Sequence, residues 1–139
     1  MVDAPSPPAP DAETFHWFHT VELGERLRRG NGALAFADVA RLGSLAIATP
    51  AGAYTYRAGD GTVEVLAGTD MADTVIEMDL DSWAGLVADL DTAPGLFYGG
   101  RATAVHGKAL RFVRWEPGLR AMFHGLPPFD PDTADPRTR

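Results

Sequence analysis

The first third of the chain places apolar residues at the spacing typical of helices. Residues 14–29 are predicted to form a first helix, with Thr14 as its cap and Asn31-Gly32 as its end. A shorter second helix is predicted over residues 34–42. Each helix has one apolar side that can pack against the rest of a domain.

The middle of the chain changes to the alternating pattern of β-strands. Tyr54 and Tyr56 are predicted to share one strand face, and Ile76 and Met78 share a face of another strand. Gly59-Asp60-Gly61 is a strong hairpin signal, because Gly and Asp tolerate positive φ. Four strands are predicted, over residues 45–49, 53–58, 62–67 and 74–79. Together they indicate an antiparallel meander with one face buried and the other in water.

Helical spacing returns after the fourth strand. Asp81 is predicted to cap a helix over residues 82–90. This helix carries one apolar stripe, formed by Trp83, Leu86, Val87 and Leu90. Thr92 is then expected to cap a short helical turn that contains Phe97. Helices therefore follow the meander along the chain.

One more strand and two more helical segments complete the pattern. Residues 101–107 alternate weakly and are predicted to form a fifth strand. Residues 108–115 carry Phe112 and Trp115, and Pro117 suits the first turn of a final helix that Gly125 ends. The fold class predicted from the pattern is α+β, with a five-stranded and mainly antiparallel sheet.

Prolines are concentrated at the two ends of the chain. Eight of the eleven lie in residues 1–12 or 127–139, and both stretches are predicted to be disordered tails. A single domain is therefore expected over residues 13–126, which is enough chain to bury a core.

Composition excludes several classes of function. The net charge of −7 argues against a nucleic-acid partner and against an anionic membrane surface. The absence of cysteine excludes disulfides, thiolate nucleophiles and cysteine-based metal sites. No apolar run approaches the roughly 18 residues that span a bilayer. The first residues lack the pattern of a secretory signal, so a cytoplasmic protein is expected.

No catalytic, metal or cofactor site is predicted. His16 and His19 lie three residues apart on the first helix, but no zinc motif includes them, and a solvated pair at a helix start is the simpler interpretation. None of the serines has the context of a hydrolase nucleophile. Glu77 and Asp79 are predicted to point to water, opposite Ile76, where burial would not raise their pKa values for acid–base chemistry.

The order of elements resembles the sterol carrier protein type 2 family. The resemblance covers about two-thirds of the chain, roughly residues 33–123. It is carried by the turn Asp60-Gly61, by Gly68, and by the segments at residues 72–78, 82–87 and 100–107. It implies helices packed on one face of the five-stranded sheet. It also implies an apolar tunnel between sheet and helices that holds sterols, fatty acids or acyl-CoAs, and some members serve as accessory domains.

An aromatic- and Met-rich set of residues leaves two alternatives open. These side chains either fill the core or line a cavity for an apolar ligand. Gly85 favours the cavity slightly, because a glycine in mid-helix is costly and indicates a place that another group approaches closely. The predicted ligand-binding residues are Tyr54, Tyr56, Ile76, Met78, Trp83, Leu86, Leu90, Phe97, Phe112, Trp115, Met122 and Phe123.

Three functions follow from these alternatives. The leading one is non-catalytic binding of a lipid, sterol or acyl-type molecule. The second is an accessory domain with a filled cavity, which docks to an enzyme or to a second copy through its Pro-rich ends and the aromatic segment 111–129. The least favoured is a small enzyme that would use Tyr54, Tyr56 or Tyr98.

Overall fold

The structure is a computed structural model that describes residues 11–125. The tails predicted over residues 1–12 and 127–139 lie outside the described part, except for Asp11 and Ala12. The predicted α+β class and the five strands are confirmed. The strands are β1 Leu45–Thr49, β2 Gly52–Gly59, β3 Thr62–Ala67, β4 Thr74–Met78 and β5 Ala102–His106. The α-helices are α1 Ala12–Trp17, α2 Leu23–Arg26, α3 Gly32–Val39, α4 Leu80–Val87, α5 Ala93–Tyr98, α6 Ala109–Arg114 and α7 Glu116–His124.

The sheet has the strand order β3-β2-β1-β4-β5, with β1 in the centre. Three of its four strand pairs are antiparallel, but β1 and β4 run parallel. The prediction of a simple antiparallel meander is therefore wrong at β4. Leu45, Ala46 and Ile47 in the central strand β1 are all fully buried.

A polar contact between two distant loops lies at the start of the parallel pair. The backbone N–H of Ser44 donates to Asp73 Oδ2 at 2.9 Å, and the Ser44 hydroxyl donates to the carbonyl of Met71 at 2.6 Å. The backbone N–H of Asp73 donates to Ser44 Oγ at 2.9 Å. This network holds the loop after β3 at the start of β1, so that Thr74 lies beside Leu45.

The first helical segment, which runs from α1 to α3, begins earlier and is less regular than predicted. Asp11, and not Thr14, is its N-cap, since the Asp11 carboxylate accepts a hydrogen bond from the Thr14 backbone N–H. Asn31-Gly32 does not end the helical segment. The break lies at Gly30, where φ is 126°, and α3 begins two residues later. Two π-helical turns interrupt the segment, at Phe18–Glu22 and Leu27–Asn31.

The second half follows the predicted order with one shift. Asp79, and not Asp81, caps α4 through the Ser82 backbone N–H, and α4 ends at Val87. Leu90 is therefore not part of the buried stripe, and 82 % of its surface is exposed. Thr92 caps α5 as predicted.

The helices pack on one face of the sheet and close the core. On the opposite face, Arg57 and Glu64 form a cross-strand ion pair, and Glu77 is exposed as predicted. Residues 11–125 contain no helix with the length and apolar character that crossing a membrane requires.

Candidate functional site

The helix-facing side of the sheet is largely apolar and carries the buried hydroxyls of Tyr54, Tyr56 and Thr74. Tyr54 lies opposite Ile47 in the β1–β2 register, Tyr56 lies opposite Leu45, and Ile47 lies beside Ile76 in β4. All five side chains are buried. The period of two along each strand brings these residues to one face, as the sequence predicted.

The Tyr56 hydroxyl bonds to a buried histidine. His19 Nδ1 lies 2.8 Å from the carbonyl of Phe15, which can only accept, so Nδ1 carries a proton. In the neutral ring Nε2 is then an acceptor, and the Tyr56 hydroxyl donates to it at 2.6 Å. One imidazole thus joins the helix backbone to the sheet.

A similar pair lies at the edge of the same interface. His16 Nε2 donates to the carbonyl of Ala51 at 2.9 Å, and the Tyr54 hydroxyl donates to His16 Nδ1 at 2.7 Å. The His19 ring stacks on Tyr54 with 4.3 Å between centroids and parallel planes. His16 is exposed, but His19 is only 4 % exposed, so the interpretation of a solvated pair is wrong for His19.

Burial keeps both His19 and Tyr56 neutral. Desolvation lowers the pKa of His19 from 6.5 to about 4 and outweighs the opposing effect of the bond to Phe15. Desolvation also raises the pKa of the Tyr56 hydroxyl. At neutral pH the His19 ring is therefore uncharged and the Tyr56 hydroxyl keeps its proton. The pair forms a polar bridge between the helical layer and the sheet.

Two further polar atoms in this region have no partner among residues 11–125. They are the Ser82 hydroxyl and the indole N–H of Trp83, at the start of α4. Both residues are buried. Trp83 makes edge contacts with Phe15 at 5.0 Å and Phe18 at 5.5 Å between centroids. Buried polar groups in native proteins are nearly always hydrogen-bonded, so this place differs from the rest of the core.

Ten of the twelve predicted ligand-binding residues are brought together in one buried cluster. The exceptions are Leu90, which is exposed, and Phe97, which is half-buried against the cluster. Within it, the Tyr56 ring lies 6.4 Å from Trp115 and 6.1 Å from Phe123. Sheet and helices are thus in direct contact where the tunnel is predicted.

Four surface clefts of 320–420 Å³ surround this core. Among the predicted ligand-binding residues, only Met78 and Phe123 line any of the four. A preformed cavity between sheet and helices therefore remains a prediction.

The sequence analysis missed the part played by the first helix. Phe15, Phe18 and His19 were not among the predicted site residues, yet all three are buried around Trp83. The spacing of Phe15 and His19, four residues apart, was the available signal. Within residues 11–125, no three His, Asp or Glu side chains are grouped so that they could hold a metal ion.

The similarity of this chain to known proteins lies in its fold and not in its sequence. No family model matches the chain, and no curated protein matches its sequence significantly. Among solved structures, sterol carrier protein 2 from Yarrowia lipolytica in its apo form matches with a TM-score of 0.60 and 14 % identity. That match covers 86 % of this chain and 97 % of the Yarrowia chain. The chain has the sterol carrier protein 2 fold.

Two other solved structures have the same sterol carrier protein 2 fold. A conserved hypothetical protein from Thermus thermophilus, described as a candidate sterol carrier protein, is 21 % identical with a TM-score of 0.56. That match covers 78 % of this chain and 82 % of the Thermus chain. A ubiquinone synthesis protein described as UbiJ-SCP2 is 11 % identical with a TM-score of 0.54, over 77 % of this chain and 93 % of that one. The similarity confirms the predicted fold.

Proposed function

We propose that this domain binds a lipid, sterol or acyl-type molecule between its sheet and its helices, without catalysing a reaction. The fold supports this proposal, because the solved structures that share it include proteins described as sterol carriers. The apolar cluster supplies the surface that such a ligand would cover, and Met78 and Met122 are side chains that repack readily.

The observation that carries the proposal is the pair of unpartnered polar atoms at Ser82 and Trp83. A buried hydroxyl or indole N–H without a partner costs about 1–3 kcal/mol. An otherwise apolar molecule with one polar group would accept a hydrogen bond from the Trp83 indole N–H, which belongs to the apolar cluster, while its chain replaced contacts within that cluster. Binding sites for such ligands combine an apolar lining with a few polar groups that fix orientation.

Entry of a ligand requires the two layers to separate, because they are in contact in this structure. The segment from α1 to α3 is the best candidate to move. It is interrupted by two π-helical turns, and it is joined to the sheet by the His16–Tyr54 and His19–Tyr56 hydrogen bonds. Apolar burial of about 25 cal/mol per Å² would provide the free energy that drives binding.

Titration with a fluorescent fatty acid and with a fluorescent sterol tests this function. We expect saturable binding at micromolar concentrations, and Ser82→Ala should weaken it by about three- to tenfold through loss of one hydrogen bond. The same change should alter stability by less than about 1 kcal/mol, because the Ser82 hydroxyl lacks a well-aligned partner but lies close enough to the Asp79 carboxylate to help lower its pKa.

Ser44→Ala is the matched control for the Ser82 variant. Ser44 is also buried, but its hydroxyl is fully bonded to the loop before β4. Its loss should therefore lower stability without changing ligand affinity. Absence of saturable binding to both probes would contradict the proposal.

The second candidate function is that of an accessory domain that docks to a protein partner. The contact between sheet and helices favours it, and Trp17 and Val21, one turn apart on the first helical segment, are each about half exposed. Phe112, Trp115 and Phe123 are buried and are not available for docking, contrary to the prediction for segment 111–129. Residues 126–129 of that segment lie outside the described part.

A further inference from the structure

Unpaired positive charge is concentrated at one place on the domain. Six arginines within residues 11–125 form ion pairs with carboxylates. Four other cations in the same range form none: Arg41, Lys108, Arg111 and Arg114. The chain has 19 acidic residues against 12 Lys and Arg, so carboxylates are plentiful and unpaired cations call for an explanation.

Three of these four cations line a single cleft. The cleft has a volume of about 330 Å³ and includes Arg41, Lys108 and Arg111 in its lining. Its one carboxylate is Asp73, whose Oδ2 accepts a hydrogen bond from the backbone N–H of Ser44 at 2.9 Å. The local charge of the lining is therefore positive, opposite in sign to the whole chain.

The backbone on both sides of the cleft is held in place by tertiary contacts. On one side, the indole N–H of Trp115 donates to the carbonyl of Gly43 at 3.1 Å. On the other side, Gly107 has φ of 75°, and a Cβ atom there would lie 2.4 Å from the carbonyl oxygen of Asp73. Only glycine allows this approach, so the loop that carries Lys108 sits directly against the start of β4.

We infer that this cleft binds the oxyanion group, phosphate or carboxylate, of a small molecule. Arginine guanidinium groups form paired hydrogen bonds to such oxygens, and a lysine ammonium adds a compact positive charge. Three cations on fixed backbone segments favour phosphate, which carries more charge than carboxylate. The inference does not depend on ligand binding near Trp83, because none of the three cations belongs to that apolar site.

The test is an NMR titration of the full chain with sodium phosphate at constant ionic strength, followed through the amide signals of Gly43 and Gly107. Sodium acetate and dodecyl phosphate, below its micelle concentration, are titrated separately. We expect saturable shifts with phosphate, and Arg41→Gln, Lys108→Gln and Arg111→Gln should each weaken binding by about tenfold. Arg114→Gln, which removes the unpaired cation outside the cleft lining, is the matched control and should bind as the parent does.

Each outcome of these titrations bears on the inference. Equal affinity for phosphate and dodecyl phosphate supports a free phosphate-bearing molecule, and tighter binding of dodecyl phosphate supports a lipid headgroup. Stronger shifts with acetate support a carboxylate. The inference is overturned if no anion shifts the two amides, or if Arg114→Gln weakens binding as much as the cleft variants do.

Discussion

The Tyr56 hydroxyl donates a hydrogen bond to Nε2 of His19 at 2.6 Å, in the core between the sheet and the first helical segment. The two residues are 37 positions apart in sequence, and both are almost inaccessible to water. This pair and the His16–Tyr54 pair at the edge of the interface are the polar links between two layers that pack largely through apolar groups.

Replacing Tyr56 by Phe should destabilise the domain by about 1–3 kcal/mol, because it leaves the buried Nε2 of His19 without a donor. Replacing Tyr54 by Phe is the matched control. It removes a hydroxyl whose partner, His16, is exposed, so water can replace it and the cost should be below about 1 kcal/mol. Urea denaturation measures both. Equal losses would show that the His19–Tyr56 bond has no special role.

Stability should fall as the pH is lowered from about 6.5 to about 4. The folded-state pKa of His19, about 4, is below its ordinary value of 6.5, so the unfolded chain binds the proton more readily across that interval. The difference corresponds to roughly 3 kcal/mol, fully lost only below the folded-state pKa. Urea midpoints measured from pH 7 to pH 4 would show the effect.

The comparison variant for this pH dependence is His19→Gln, which cannot titrate. Carboxylates contribute equally to both proteins, so the difference between the two pH profiles isolates His19. The variant should lose less stability than the parent between pH 6.5 and pH 4. Parallel profiles for the two proteins would refute the assignment of this loss to His19.

The parts of the fold that were predicted from sequence depend on local signals. Alternation along the strands, the hairpin at Gly59-Asp60-Gly61 and the Thr92 cap depend on neighbouring residues, and all were predicted. The parallel pairing of β1 and β4 was not predicted, because the two strands are separated along the chain by β2 and β3 and no local signal gives the direction of such a pairing.

The candidate site was predictable only in part. The period of two placed Tyr54 and Tyr56 on the correct face, but the period alone does not say what their hydroxyls meet. The sequence pattern does not predict the burial of His19, because its hydrogen-bond partner lies on a strand 37 positions away. The prediction that Leu90 belongs to the buried stripe is wrong for a local reason. The helix α4 ends at Val87, and Asp89 adopts a positive φ of 59° just before Leu90.

Leu86→Ala and Leu90→Ala should differ strongly in their loss of stability, although both residues belong to one predicted apolar stripe. Leu86 is 4 % exposed and its truncation should cost about 2–5 kcal/mol through a core cavity. Leu90 is 82 % exposed, and its truncation should change stability by less than about 0.5 kcal/mol. Thermal and urea unfolding of the two variants would check this. Comparable losses would mean that the helix extends to Leu90.

The contact between α3 and α7 should tolerate no added atom at Gly118. A Cβ there would lie 2.1 Å from Val39 Cγ1, so Gly118→Ala should destabilise by about 1–3 kcal/mol through overpacking. Adding Val39→Ala should recover part of that loss, which a double-mutant cycle in urea measures. Gly24→Ala is the control, since its nearest new contact is the mobile end of Arg28 at 3.4 Å. Strict additivity of the two changes would contradict a direct clash.

The most direct test of the proposed function is the indole N–H signal of Trp83 in a two-dimensional NMR spectrum. The chain has three tryptophans, and the other two serve as internal references: Trp17 is half exposed, and the Trp115 N–H is already bonded to Gly43. Titration with oleate below its micelle concentration should shift the Trp83 signal saturably and leave that of Trp17 unchanged. A Trp83 signal that stays fixed up to the solubility limit of oleate and of a soluble sterol, or a shift confined to Trp17, would contradict binding between the sheet and the helices.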